Sequence, residues 1–317
     1  MKTALILGIN GQDGSFLAEL LLSKNYEVHG LIRRTAKDNQ QNIKHIMGNV
    51  TLHYGDLADP ISIQEAINIS KPDEIYNEAD QDHAGISFNI PAYNYDVTGA
   101  AVGRILEIIK NTNTKIKYFQ PLTSNMFGNI SETPQNENTP FFPLNPYACS
   151  KVFAYHTCRM YRENYDMFVS CAIFYNHESE RRTDNYVTRK ITKTAARISL
   201  GLEEELILGD LSAKIDWGYA KEYMDAAWNI MQQEKPDDYI IGTGIETSVE
   251  NFVEQTFNYL NLDSKKYVKS SPNLLRPAKN LSLIADYSKA NQHFGFKPKI
   301  LVEDLIKIMV DHDLKSN

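Results

Sequence analysis

The chain has 317 residues, 42% of them hydrophobic and 23% charged, with a formal net charge of -7. That length accommodates one large α/β domain or two lobes on a shared core, and the negative balance argues against a nucleic-acid-binding surface. No apolar run approaches a membrane span, and the strand-like Ala4-Leu5-Ile6-Leu7 follows Met1 too closely to leave room for an export signal.

Residues 3–8 are expected to form a strand, and 15–23 a helix with Phe16, Leu17, Leu20 and Leu21 on one face. Strands over 27–32 and 50–54 follow, the second running into Gly55-Asp56. A helix is expected over 60–69, where Pro60 takes an allowed first-turn position. Next come a strand at 73–77, one long helix at 91–110, a strand at 116–122, a helix at 146–164 and a strand at 167–174. Repeated β-α units of this kind imply a Rossmann-type, doubly wound α/β fold, with a parallel sheet covered by helices on both faces. After Asn176 the rhythm changes. The polar run N-H-E-S-E-R-R-T-D-N leads into a helix at 187–200, 270–280 is irregular, and 301–314 is an amphipathic helix. This half is expected to be a smaller lobe over the sheet.

Cys149, Cys158 and Cys171 have no metal-ligand spacing, and their odd number fits reduced cytoplasmic thiols. No metal site is expected. Cys149 falls between Tyr147 and Lys151, but no partner pattern for a reactive thiol accompanies it.

The run L-G-I-N-G-Q-D-G puts Gly8, Gly11 and Gly14 at the junction of the first strand and first helix, with Asn10, Gln12 and Asp13 between them. A tight turn and a closely approaching pyrophosphate both need residues without Cβ, and a helix N-terminus favours the charge. NAD or NADP is the expected cofactor. The expected division is a dinucleotide-binding domain over 1–175, with segments returning near 212–248, and a second lobe mainly over 176–317. NAD sites usually carry an acid after the second strand, whereas here Arg33 and Arg34 follow Ile32. Two arginines suit a 2′-phosphate and favour NADP, and they equally suit a subunit contact or solvent. Asp56 and Leu57, after the third strand, are placed to contact adenine; Asp56 also suits a turn.

Tyr147 and Lys151 lie four apart on one helix and share a face. An ammonium there is expected to lower the pKa of the phenol and to bind the nicotinamide ribose. The phenolate takes a hydroxyl proton as hydride leaves the same carbon. Thr123, ending its strand, is expected to hydrogen-bond that hydroxyl.

These motifs come with G-Q-D-G-S, V-H-G-L-I-R-R, H-Y-G-D-L, P-D-E-I-Y-N, T-P-F-F-P-L-N-P-Y-A, N-H-E-S-E-R-R, V-T-R-K-I-T, D-W-G-Y-A-K-E-Y and R-P-A-K. On these stretches the chain resembles an extended short-chain dehydrogenase/reductase, closest to GDP-mannose 4,6-dehydratase. The resemblance implies a GDP-sugar substrate and a homotetramer. It implies that Ser87, Asn176, Lys190 and Arg276 line the sugar-nucleotide pocket, with Lys190 and Arg276 at the diphosphate.

The departures bear on chemistry. Where the family's S-T-S-E-L-Y-G carries its catalytic Glu, L-T-S-N-M-F-G carries Asn125, and an amide cannot take a proton near neutral pH. The family's N-L-G-A-Q-S-H reads Asn77-Glu78-Ala79-Asp80-Gln81-Asp82-His83, three new acids beside the cofactor. Ile215 and Lys279 also replace a family Arg and Glu, with Lys214 a substitute cation. Without the base, C4 oxidation is expected to stop at a 4-keto sugar, and C5 epimerisation, which needs the same proton removed, is disfavoured. Within the family this resembles the GDP-D-glycero-α-D-manno-heptose 4-dehydrogenase type, which feeds heptose into surface polysaccharide. The reduced cofactor then leaves, or a second small oxidant such as a 2-oxo acid regenerates it. The alternatives are a dehydratase with Asp80 or Asp82 as relocated base, and a silent sugar-nucleotide-binding subunit. His83 is read either as a cofactor contact or as an interior histidine.

Overall fold

The computed structural model describes residues 1–36, 39–129, 132–271 and 282–316. Its first half alternates as the sequence pattern requires: β1 (Thr3–Leu7), α1 (Gln12–Ser23), β2 (Glu27–Ile32), β3 (Val50–Tyr54), α2 (Pro60–Ser70) and β4 (Glu74–Asn77). The short helices α3 (Ala84–Ser87) and α4 (Pro91–Asn94) lead to α5 (Ala101–Thr112), β5 (Lys117–Thr123), α6 (Pro146–Tyr165) and β6 (Val169–Phe174). The second half holds β7 (Asn176–Glu178), α7 (Val187–Ser199), β8 (Leu206–Leu208), β9 (Lys214–Tyr219), α8 (Ala220–Met231) and β10 (Asp238–Ile241). It ends with β11 (Glu246–Ser248), α9 (Val249–Tyr259), α10 (Ser264–Tyr267), β12 (Val268–Ser270), α11 (Ser288–Phe294) and α12 (Val302–Ser316).

Seven strands form one parallel sheet in the order β3-β2-β1-β4-β5-β6-β10. The expected doubly wound α/β fold is thus observed. Successive side chains of β1 point to opposite faces. Leu5 and Leu7 join the core beneath α2, α5 and α6, while Ala4 and Ile6 join the core beneath α1 and α8. A strand covered on both faces reads as a continuous apolar run, which is why these strands were legible. The order reverses between β1 and β4, so the carboxyl ends of those strands open a crevice where α/β sheets bind ligands. A three-stranded sheet, β11-β9-β7, and a third apolar cluster under α7, α9 and α12 belong to the second half of the chain.

The expected single helix over 91–110 is interrupted. Tyr95–Ala100 is a π-helical segment between α4 and α5. Gly99 there lies against α6, where an added Cβ would stand 3.4 Å from Phe153 Cδ1. The wider turn presents Thr98 to the site described below, a place π segments often mark.

Arg162 on α6 makes two 2.8 Å hydrogen bonds to the Asp238 carboxylate at the start of β10 and one of 3.1 Å to the Val169 carbonyl. Both side chains are mostly buried. Removing one partner strands the other charge, so Arg162→Ala is expected to lower unfolding free energy by about 3 kcal/mol, read from urea denaturation.

Candidate active site

A cavity of 650 Å³ opens at the carboxyl ends of β1, β4 and β5, within the size range of small-molecule and cofactor sites. At one end lies the glycine turn. Gly8 has φ +82°, and a Cβ there would stand 2.8 Å from the Glu78 carbonyl oxygen. A Cβ on Gly14 would stand 2.3 Å from the Gly8 carbonyl oxygen. Asn10, Gly11, Gln12 and Asp13 line the cavity. A turn with no room for side chains, feeding the N-terminus of α1, fits a dinucleotide pyrophosphate. Asp13 pairs with His177 at 2.9 Å. Burial works to raise the Asp13 carboxyl, but the facing His177, with Arg182 and Gln12, holds it below the usual range.

At the other end Asn145 caps α6, its Oδ1 accepting from Ala148 N at 2.8 Å, and Pro146 takes the first helical position. That fixes Tyr147 and, one turn on, Lys151, both buried. Thr123 ends β5 and accepts from Asn125 N at 3.2 Å and Asn125 Nδ2 at 3.1 Å. Thr123, Asn125, Tyr147 and Lys151 line one wall. The four residues expected to be catalytic are therefore brought together, Asn125 contributing an amide.

The lowering of the phenol expected from Lys151 does not prevail. The Lys151 Nζ donates to the Pro121 carbonyl at 2.8 Å and is ion-paired with Asp80. Burial pushes the Tyr147 phenol well above its ordinary value, and Asp80, Asp82 and Tyr186 push it further; Thr123 opposes them. The other Asp80 oxygen accepts from Thr98 Oγ1 at 2.6 Å. Asp82 lies 3.3 Å from Arg182 Nη1. Glu78 lines the same cavity with Oε1 lacking a hydrogen-bond partner, and burial, then Asp13, raise its carboxyl well above the usual range.

Other expected residues fall differently. Asn176 lines the cavity, as does Lys214, which donates to Glu246 at 2.7 Å. Ser87 lies behind the wall, where its hydroxyl accepts from Tyr147 N at 3.3 Å and supports the start of α6. Lys190 points to the Ile207 carbonyl at 2.7 Å and lies outside the lining. Arg33, Arg34, Asp56 and Leu57 are outside it too. Arg33 donates to the Tyr93 hydroxyl at 2.9 Å, Asp56 caps its own turn at Ala58 N, and the buried Leu57 accepts from Arg104 through its carbonyl. Arg276 and Lys279 lie outside the described residues. His83 caps α3, its Nδ1 accepting from Ile86 N at 3.1 Å, and also lines the cavity.

Beyond Asn176, individual roles in N-H-E-S-E-R-R were not assigned from sequence. Ser179 donates to Gln12 at 2.7 Å and Arg181 to Ser15 at 2.9 Å, stitching the segment to the glycine turn. Arg182 lies 3.4 Å over the Tyr186 ring and pairs with Glu178 and Asp82. The run of charge was visible; its partners were not. Among the described residues no cluster of metal ligands occurs, and no helix is long and apolar enough to cross a membrane. Cys158 and Cys171 are buried free thiols and Cys149 an exposed one.

A model of the family described as GDP-mannose 4,6 dehydratase matches residues 5–309. The chain belongs to that family. It is 47% identical over 326 residues to GDP-mannose 4,6 dehydratase 2 of Arabidopsis thaliana, a match covering 99% of this chain and 87% of the relative. Identity to the Homo sapiens GDP-mannose 4,6 dehydratase is 40% over 341 residues, covering 99% and 92%. Among solved structures, UDP-glucose 4-epimerase of Thermotoga maritima with UDP-glucose superposes with TM-score 0.87 at 21% identity, covering 99% of both chains. The dTDP-glucose 4,6-dehydratase of Bacillus anthracis, in complex with NAD, gives 0.87 at 21%, covering 99% and 97%. At those identities the structures carry the fold alone.

Proposed function

We propose that the chain oxidises C4 of a GDP-sugar to the ketone and releases it without dehydration, as a NAD(P)-dependent 4-dehydrogenase. The family, and relatives named as GDP-mannose 4,6 dehydratases, support a GDP-sugar substrate. The glycine turn and α1 would hold the dinucleotide, whose nicotinamide supplies a two-electron hydride acceptor. Tyr147 takes the C4 hydroxyl proton, Thr123 orients that hydroxyl, and Lys151 binds the ribose. The supporting observation is Asn125, whose amide donates to Thr123 and has no basic lone pair for the C5 proton.

A dehydratase with a relocated base is the second reading, favoured by the relatives' names and by the carboxyls in the cavity. The geometry weighs against it. Asp80 is engaged by Lys151 and Thr98, Asp82 by Arg182, and burial raises the Glu78 carboxyl well above its usual range. The substrate we favour is GDP-D-glycero-α-D-manno-heptose, on the resemblance to that 4-dehydrogenase type.

The test is mass spectrometry of products from that heptose and from GDP-mannose, with the near-ultraviolet absorbance of reduced nicotinamide followed alongside. Loss of two hydrogens with a rise in absorbance is expected. Loss of one water with no net rise would establish the dehydratase instead.

A further inference from the structure

The Lys151 ammonium is not free to act on Tyr147 alone. It is almost fully buried, its Nζ lies 5.7 Å from the centre of the Tyr147 ring, and it is paired with Asp80. The Asp80 side chain is only 12% exposed and is itself fixed. Thr98 donates to its second oxygen at 2.6 Å, Gln81 N donates to Thr98 Oγ1 at 3.3 Å, and Asn94 Nδ2 donates to the Gln81 carbonyl at 3.0 Å. The clamp thus runs from the segment after β4 through the π turn to α4. A lone ammonium acts on a neighbour as a full charge, whereas an ammonium joined to a carboxylate acts as a dipole whose field decays faster.

We propose that Asp80 is a positioning residue for Lys151, holding its ammonium and offsetting the positive field on Tyr147, so that proton removal by Tyr147 works at higher pH. The inference rests on the reading of Tyr147 as the proton acceptor in C4 oxidation. The groups facing the phenol are consistent with it. Asp80 and Asp82 approach from the segment after β4, Tyr186 from the approach to α7 and Thr123 from the end of β5, with Lys151 on the same helix. Burial and the two carboxylates act together to favour the protonated phenol. Glu78 also faces Lys151, and burial raises its carboxyl well above the usual range, but the ion pair Lys151 makes is with Asp80.

The experiment compares wild type with Asp80→Asn, which keeps the shape and removes the charge, and Asp80→Ala. The first readout is the pH dependence of hydride transfer in a single turnover with NAD+ and the GDP-sugar. The acid limb is expected to move down by about one pH unit or more in both variants. The second needs no turnover: the full chain carrying 13Cζ-labelled tyrosine is titrated by NMR, with the Tyr147 signal identified by its absence in Tyr147→Phe. That signal is expected to ionise at lower pH in Asp80→Asn. Ionisation at the same pH in both proteins, or in neither over the range where they stay folded, overturns the proposal. A shifted Tyr147 signal with no reduction of nicotinamide by any GDP-sugar supports the role of Asp80 and removes the reading of C4 oxidation.

Discussion

Asn125→Glu is expected to turn the product from a 4-keto sugar into a 4-keto-6-deoxy sugar. Oxidation at C4 acidifies the C5 proton, and a base that removes it lets the C6 hydroxyl leave as water; the 5,6-alkene would then take back the hydride at C6 and a proton at C5. Asn125 sits half-buried in the turn after β5, one residue from the buried Ser124 and Met126, and its amide is tethered to Thr123 Oγ1. A glutamate is one methylene longer and can accept from the same hydroxyl, so the turn need not rearrange to place a carboxylate in the cavity. A positioned base contributes about 10²–10⁴-fold, so the rate of water loss is expected to rise at least about 100-fold. The measurement is the mass of the product, with loss of water replacing loss of two hydrogens, and a smaller accumulation of reduced nicotinamide. Asn125→Gln supplies the same length without basicity and is expected to leave the product unchanged. If the glutamate variant folds, oxidises C4 and still releases no dehydrated sugar, the turn does not hold this position against C5.

The sheet was legible because its strands are buried on both faces and bounded by turn residues. The expected limits of β2 and β3 coincide with those observed. The π segment was not legible. Tyr95–Ala100 has an ordinary helical pattern, and its widened turn belongs to the packing of Gly99 against α6. Within the site, placement was legible where a single element fixes it: Tyr147 and Lys151 share one helix, and Thr123 ends a strand. Residues whose role depends on the face of a helix or the path of a loop were not. Lys190 was expected at a diphosphate, but its side chain reaches the Ile207 carbonyl from α7. Ser87 was expected to line the pocket, and it instead supports α6 from behind. The phenol shifts the other way because burial, which spacing along α6 does not reveal, raises it most, and the Asp80 and Asp82 carboxylates add to that.

Lys151→Met is expected to damage stability and turnover together, and a second substitution should separate the two. Methionine fills much of the lysine stem's volume without its charge. The mostly buried Asp80 carboxylate would then keep the Thr98 hydroxyl and lose its cation. A stranded buried charge of this kind costs about 3–5 kcal/mol, and the slight exposure of Asp80 puts the expected loss near the lower end. On the role proposed for Lys151, turnover should fall by about 10²–10⁴-fold, because the proton transfer would lose the cation assigned to the ribose and the developing phenolate. Adding Asp80→Ala removes the stranded charge. The double variant is therefore expected to recover most of the lost stability, a coupling between contacting residues, while its turnover stays low. Urea denaturation and single-turnover reduction of nicotinamide measure the two quantities independently. A double variant as unstable as Lys151→Met would show that packing of the lysine stem, rather than the pair, holds this wall. Turnover restored along with stability would give Lys151 a purely structural role and leave Tyr147 to work without it.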